Sequence, residues 1–144
     1  MPTTPDASPP PAPRLLFLDD DPRRAAAFAV EHPQAIWVRT ASACVAQLEG
    51  PWDEVHLDHD LEGRTFVDSS RDDCGMAVVR WLTEEPRPHL RRTTFVIHTH
   101  NPHASCAMAF RLEASGYRVL IRPFGPRHRG EGLLARLRRL LVRR

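Results

Sequence analysis

Short apolar runs alternate with helical patterns along this chain, and three of the runs end in polar and charged residues. Leu15-Leu16-Phe17-Leu18 leads straight into Asp19-Asp20-Asp21. Val55 and Leu57 alternate with His56 and Asp58, the period-2 pattern of a strand, and the segment ends in Asp58-His59-Asp60. Phe95-Val96-Ile97 runs into His98-Thr99-His100-Asn101. With Ala35–Val38 and Tyr117–Ile121, the pattern predicts five strands. Helical segments fall between them. Arg23–His32 follows Pro22, with Asp21 as its cap, and Pro33 stops it. Ser42–Leu48 is closed by Gly50-Pro51. In Gly75–Glu84, Met76, Val79 and Leu82 recur at helical spacing, and Val78 and Trp81 widen the face. Pro102–Ser115 ends at Gly116. Gly130–Val142 carries Leu133, Leu134, Leu137, Leu140 and Leu141 on one stripe, opposite an arginine-rich face. Five strands alternating with five helices predict an α/β sandwich, a five-stranded parallel sheet with helices on both faces.

Residues 1–13 contain Pro2, Pro5, Pro9, Pro10, Pro11 and Pro13 with little apolar bulk. They predict a disordered Pro-rich tail, and residues 14–144 a single domain. The chain has 144 residues, 42% of them apolar and 26% charged, which is ordinary for a globular domain. A net charge of +2 does not by itself point to nucleic acid. No apolar run approaches the ~18 residues of a membrane helix, and no signal-peptide pattern is present. The expectation is a cytoplasmic protein with no membrane partner. Cys44, Cys74 and Cys106 match no zinc-binding spacing. Cys44 and Cys106 are expected to be buried as small apolar residues.

In an open parallel sheet, chemistry gathers at the carboxyl ends of the strands. If the three charged strand ends lie side by side, one pocket receives several carboxylates and imidazoles. Asp19, Asp20 and Asp58, with Asp60 beside them, offer hard oxygen ligands that suit Mg²⁺ or Mn²⁺ better than Zn²⁺. Carboxylates gathered without a cation repel one another. The plain alternative is that Asp19–Asp21 only cap a helix and Asp60 only turns a loop. His98 and His59 are candidate general acid/base groups near neutral pH. His98 and His100 share a face if the strand continues that far. His56 shares a face with Asp58, one pleat deeper, and reads as a core histidine. Thr99, Asn101 and Arg122 are candidates to hold phosphate, with Arg64 or Arg71 from the long loop 59–72. No phosphate-cradling glycine loop and no nucleophile elbow occur.

From Arg14 to the last helix the chain resembles a response-regulator receiver domain. Asp19-Asp20 resembles the acidic pair that holds magnesium, Asp58 falls at the phosphoacceptor position, Thr99 at the Ser/Thr position, and Arg122-Pro123-Phe124 at the Lys-Pro-Phe. Leu57-Asp58-His59-Asp60-Leu61, the Gly75-x5-Trp81-Leu82 helix and Ile97-His98-Thr99-His100-Asn101-Pro102 resemble a divergent branch, the cyclic-phosphate-processing receiver family. The resemblance implies a receiver- or flavodoxin-like fold and a metal-dependent phosphoesterase activity on phosphoester or cyclic-phosphate groups. Its partner would be a phosphate-bearing small molecule or an RNA end. Two other readings stay open. One is a stand-alone receiver that accepts phosphate on Asp58 and signals to a protein partner. The other is a degenerate receiver that serves as a protein-binding module. Arginine in the lysine position weakens the phosphorelay reading, because its planar fork is not a point charge.

Overall fold

The computed structural model describes residues 8–61, 63–64 and 67–123. Residues 8–14 are exposed and form no helix or strand. The elements then alternate in the predicted order: β1 (Leu15–Leu18), α1 (Pro22–Glu31), β2 (Ile36–Val38), α2 (Ala41–Gln47), β3 (Glu54–Leu57), α3 (Gly75–Glu84), a short 3-10 turn at Pro88–Leu90, β4 (Thr94–Ile97), α4 (Pro102–Ala114) and β5 (Arg118–Ile121). The strands form one parallel sheet in the order β2-β1-β3-β4-β5. That order reverses direction between β1 and β3, the switch point where a crevice opens at the carboxyl ends of the strands. The helix expected over Gly130–Val142, and Phe124, lie outside the described residues.

The two sheet faces divide the strand residues by parity. Leu16, Leu18, Val55, Leu57, Phe95 and Ile97 belong to the main core with Val78, Val79 and Leu82 of α3 and Met108 and Leu112 of α4. On the other face, Phe17 stacks on Phe28 of α1 with ring centroids 4.3 Å apart, and Phe28 meets His56 edge-on at 4.7 Å. Helices therefore cover both faces; β1 is buried along its full length, and β3 and β4 are buried beyond their half-exposed first residues, Glu54 and Thr94, as a doubly covered parallel sheet requires.

Local chemistry fixes the helix starts. The Asp21 side chain accepts from Arg23 N and Pro22 opens α1, as the sequence predicted. Thr40 caps α2 by accepting from Ala43 N, so the helix begins at Ala41, one residue ahead of the Ser42 start expected from the pattern. In α4 the buried positions are Ala104, Ser105, Met108, Ala109 and Leu112. Cys106 lies off that stripe and is exposed, which corrects the expectation that it is buried, while Cys44 is buried as expected. No helix among the described residues is long and apolar enough to cross a membrane.

Candidate functional site

The carboxyl ends of β1, β3 and β4 open into a cavity of about 400 Å³. Its lining includes Asp20, Arg24, Asp58, Asp60, Thr99 and His100. β1 ends at Leu18, so Asp19 is the first residue beyond the sheet. Its carboxylate is fully buried, and its backbone carbonyl accepts from Trp37 Nε1 at 2.7 Å. β3 ends at Leu57 and delivers Asp58 beside it. Asp19, Asp20 and Asp58 each offer a carboxylate oxygen, and these oxygens lie within 4.8 Å of one another.

A glycine lets this corner close. Gly75 N donates to the His59 carbonyl at 2.9 Å, which presses the start of α3 against the β3 exit. A Cβ on Gly75 would collide with the Asp58 carbonyl oxygen and come within 2.8 Å of His59 Cα. The Gly75-initiated helix is therefore part of the site's construction, although it lines no part of the cavity.

Among the described residues, Arg24 is the cation inside the cluster. Arg24 forks Asp19, with Nε 2.7 Å from Oδ2 and Nη2 2.7 Å from Oδ1. Nη2 also reaches Asp58 Oδ2 at 3.2 Å, and Asp20 Oδ1 lies 3.7 Å away. The hydrogen bond to Asp19 raises the Arg24 pKa further above its usual value, against the opposing effect of partial burial. Burial, followed by the Asp19 charge, pushes the Asp58 carboxyl up to about 7, in spite of Arg24. Sequence reading missed Arg24. The available signal was its placement three and four residues after Asp21 and Asp20, which puts it on their side of the helix start.

The donor set fits a hard divalent ion. Three carboxylates from two neighbouring strand ends, two of them buried, supply only oxygen ligands, the type chosen by Mg²⁺ and Mn²⁺. The cluster can hold a divalent cation, which would also relieve the repulsion that raises Asp58.

The model for the cyclic-phosphate processing receiver domain matches residues 14–114. This chain belongs to that family. Solved structures agree on the fold. The Mn²⁺-bound response regulator Rcp1 is similar with a TM-score of 0.56 and 13% identity, over 81% of this chain and 84% of that one. The receiver protein N-terminal domain from Methanoculleus marisnigri JR1 gives 0.54 and 19%, over 92% and 98%. The BeF3-activated DrrB receiver domain gives 0.52 and 21%, over 91% and 98%. At these identities the likeness is one of fold. No curated protein matches the chain by sequence.

In this receiver domain the predicted site residues separate into groups. Asp58, Asp60 and Thr99 line the cavity with Asp20, and Asp19 sits beneath them. Asp60 is outside the three-oxygen cluster: its Oδ1 accepts from His59 Nδ1 and from Val67 N, both at 2.9 Å. Thr99 Oγ accepts from Asn101 N at 3.1 Å, and Asn101 Oδ1 caps α4 by accepting from Ala104 N at 3.1 Å.

The two predicted acid/base histidines point elsewhere. His59 is buried, and Ser69 Oγ lies 3.2 Å from its Nε2. Burial pulls the His59 pKa down, but hydrogen bonds with Cys74 and Asp60 outweigh it and the net shift is upward. β4 ends at Ile97, so the two-imidazole face that needed the strand to reach His100 does not form. His98 Nε2 lies 2.6 Å from His56 Nδ1, and His98 Nδ1 donates to the Arg122 carbonyl at 2.6 Å. Arg122 N donates to the Ile97 carbonyl at 2.8 Å, and the residue is exposed without lining the cavity. His100 is exposed at the cavity. Arg64 lines it too, whereas Arg71 forks Asp73 at 2.6 Å instead.

Proposed function

We propose that this receiver domain uses a divalent ion, Mg²⁺ or Mn²⁺, to process phosphoester groups, with a cyclic phosphate at a nucleotide or RNA end as the substrate class. The observation that carries the reading is the meeting of Asp19, Asp20 and Asp58 at a cavity that also presents Thr99, His100 and Arg64. Membership of the cyclic-phosphate processing family supports it. The all-oxygen donor set favours Mg²⁺ or Mn²⁺ over Zn²⁺.

Asp19, Asp20 and Asp58 would hold the ion, which when bound supplies Lewis acidity and a water of lowered pKa. The remaining roles fall to the chain's own groups. Thr99 Oγ already accepts from Asn101 N, so its O–H is left to donate to a phosphate oxygen. Arg64 supplies positive charge at the rim. His100 is the imidazole at the cavity, and we assign it the general acid/base role first sought in His59 and His98. Arg122 remains a candidate for the phosphate's outer oxygens.

The test is ring opening of 2′,3′-cyclic nucleotides and of oligonucleotides ending in a cyclic phosphate, followed by ³¹P NMR with Mg²⁺ or Mn²⁺ present. The expected result is metal-dependent opening that falls on the order of 10²-fold or more in Asp58→Ala and His100→Ala. No opening with either ion, together with labelling of Asp58 by acetyl phosphate, would replace this reading with that of a signalling receiver.

A further inference from the structure

Arg24 occupies the space that the metal reading needs. Its Nη2 is 2.7 Å from Asp19 Oδ1, 3.2 Å from Asp58 Oδ2 and 3.7 Å from Asp20 Oδ1. These are the three carboxylates of the cluster. Asp19 is held at both oxygens by the guanidinium fork, and its Oδ1 also accepts from Asp21 N at 2.8 Å. A Mg²⁺ or Mn²⁺ ion binds carboxylate oxygens at roughly 2.1 Å. It would therefore meet the like-charged Nη2 at close range and compete for the same lone pairs.

The helix dipole works against the position. Arg24 stands in the first turn of α1, the positive end of the helix dipole, where a cation is disfavoured. What compensates it is the carboxylate cluster together with the cap residue Asp21, whose Oδ2 lies 3.4 Å from Nη1. The side chain is also partly exposed at the cavity, so the guanidinium has a route to solvent that needs no movement of the helix.

We propose that Arg24 is the exchangeable counter-cation of this site: it neutralises Asp19 and Asp58 when the ion is absent and must leave them for the ion to enter. This rests on the metal reading above and adds a threshold to it. The apparent metal affinity is the intrinsic affinity of three carboxylates reduced by the cost of detaching Arg24, so the site fills only above a set ion concentration.

The test is calorimetric titration of Mn²⁺ into chelator-treated protein, in the wild type and in Arg24→Gln, Arg24→Ala and Arg23→Ala. Arg23 is exposed on the same helix turn and removes the same charge without touching the cluster through its side chain. The expected result is that both Arg24 variants bind Mn²⁺ about tenfold more tightly or better, while Arg23→Ala changes little. In parallel, the Arg24 variants should melt below wild type without metal and recover most of the gap at saturating Mn²⁺. Unchanged or weaker binding in the Arg24 variants, with wild type binding normally, overturns the exchange. Equal tightening in Arg23→Ala also overturns it, since general electrostatics would then suffice. Absence of Mn²⁺ binding in every protein instead defeats the metal reading itself.

Discussion

His56 Nδ1 lies 2.6 Å from His98 Nε2, with the two rings nearly parallel. Glu54 Oε2 stands 3.0 Å from the other end of His56, and the Arg122 carbonyl accepts from His98 Nδ1. Both outer partners are acceptors, so three contacts call for three protons. Burial, then the charge of neighbouring groups, pushes both imidazoles down to about 4, so at neutral pH the two rings carry two protons. The half-exposed Glu54 carboxylate can turn to water, whereas the Arg122 carbonyl is held in place by the bond from Arg122 N to the Ile97 carbonyl, which places one proton on His98 Nδ1. His98 Nε2 then accepts, which places the second on His56 Nδ1. The unprotonated nitrogen falls at Glu54, the exposed end of the chain of contacts. Nitrogen-15 shifts at pH 7 should show the Nδ1–H tautomer for both rings, and an Nε2–H on His98 would refute this assignment.

The same pair sets a pH dependence. Each folded-state pKa is depressed from 6.5 to about 4, so the unfolded chain binds more protons between those values. The contribution of neutral burial is complete above pH 6.5 and is lost as pH falls toward 4. Taken singly, each ring contributes at most about 3 kcal/mol, and the coupled pair less than twice that. His98→Asn keeps a donor for the Arg122 carbonyl but does not titrate. Urea unfolding at pH 7.5 and pH 5 should show a smaller loss of stability on acidification in this variant than in wild type.

Much of this was legible in the sequence, for a definable reason. Apolar runs that stop at charge mark strands whose ends carry chemistry, so the pattern alone places Asp19, Asp58 and Thr99 together. Asp21-Pro22 named the start of α1 for the same local reason. Periodicity fixes a residue's face but not its partner across the sheet. His98 follows Val96, which pairs with His56, so the same alternation that suggested a site face turned its ring onto a buried histidine. Arg24 carried a local signal in its spacing from Asp20 and Asp21, but its link to the site was hidden because that runs through Asp58, 34 positions away. Cys106 failed on helix phase alone: four positions of α4 on either side of it were needed to see that the stripe passes through Ser105 and Ala109 instead.

Gly75 should tolerate no side chain. A Cβ there meets backbone, the Asp58 carbonyl and His59 Cα, and backbone cannot rotate aside as a side-chain tip can. Gly75→Ala is expected to cost about 3 kcal/mol or more and to weaken metal binding by shifting Asp58. At Gly50 the nearest atom to an added Cβ is the Gln47 carbonyl oxygen at 3.6 Å, an ordinary contact. Gly50→Ala should therefore stay within roughly 1 kcal/mol of wild type. Chemical denaturation of the two variants side by side measures the contrast, and equal effects would remove Gly75 from the construction of the site.

Asp60 has a second duty that can be separated from metal binding. Its Oδ1 accepts from Val67 N and from His59 Nδ1, tying the segment after β3 to the strand end. Gly63 N in turn donates to Asp20 Oδ2, so the loop also touches the acidic cluster. Asp60→Ala should speed hydrogen exchange at the Val67 amide by about tenfold or more. Its Mn²⁺ affinity should fall less than in Asp58→Ala, because Asp60 is not one of the three clustered oxygens. A loss of affinity as large as that of Asp58→Ala would make Asp60 a ligand.

Asp58 gives the sharpest separation of the empty site from the loaded one. Its folded-state pKa is raised from 3.8 to about 7, mainly by burial and next by Asp19. Between those values the native state binds the extra proton. This contribution is therefore complete below pH 3.8 and lost as pH rises through 7, opposite in sign to the histidine pair. At pH 8 without metal the ionised group costs on the order of 3–4 kcal/mol at most, and Asp58→Asn removes that cost at nearly constant shape. The variant should melt above wild type at pH 8 in chelator, with the gap closing by pH 4. Saturating Mn²⁺ should reverse the order, since it binds the protein that retains the carboxylate more tightly and stabilises it more. A variant that melts below wild type at pH 8 without metal would mean that the contact with Arg24 outweighs the burial of Asp58.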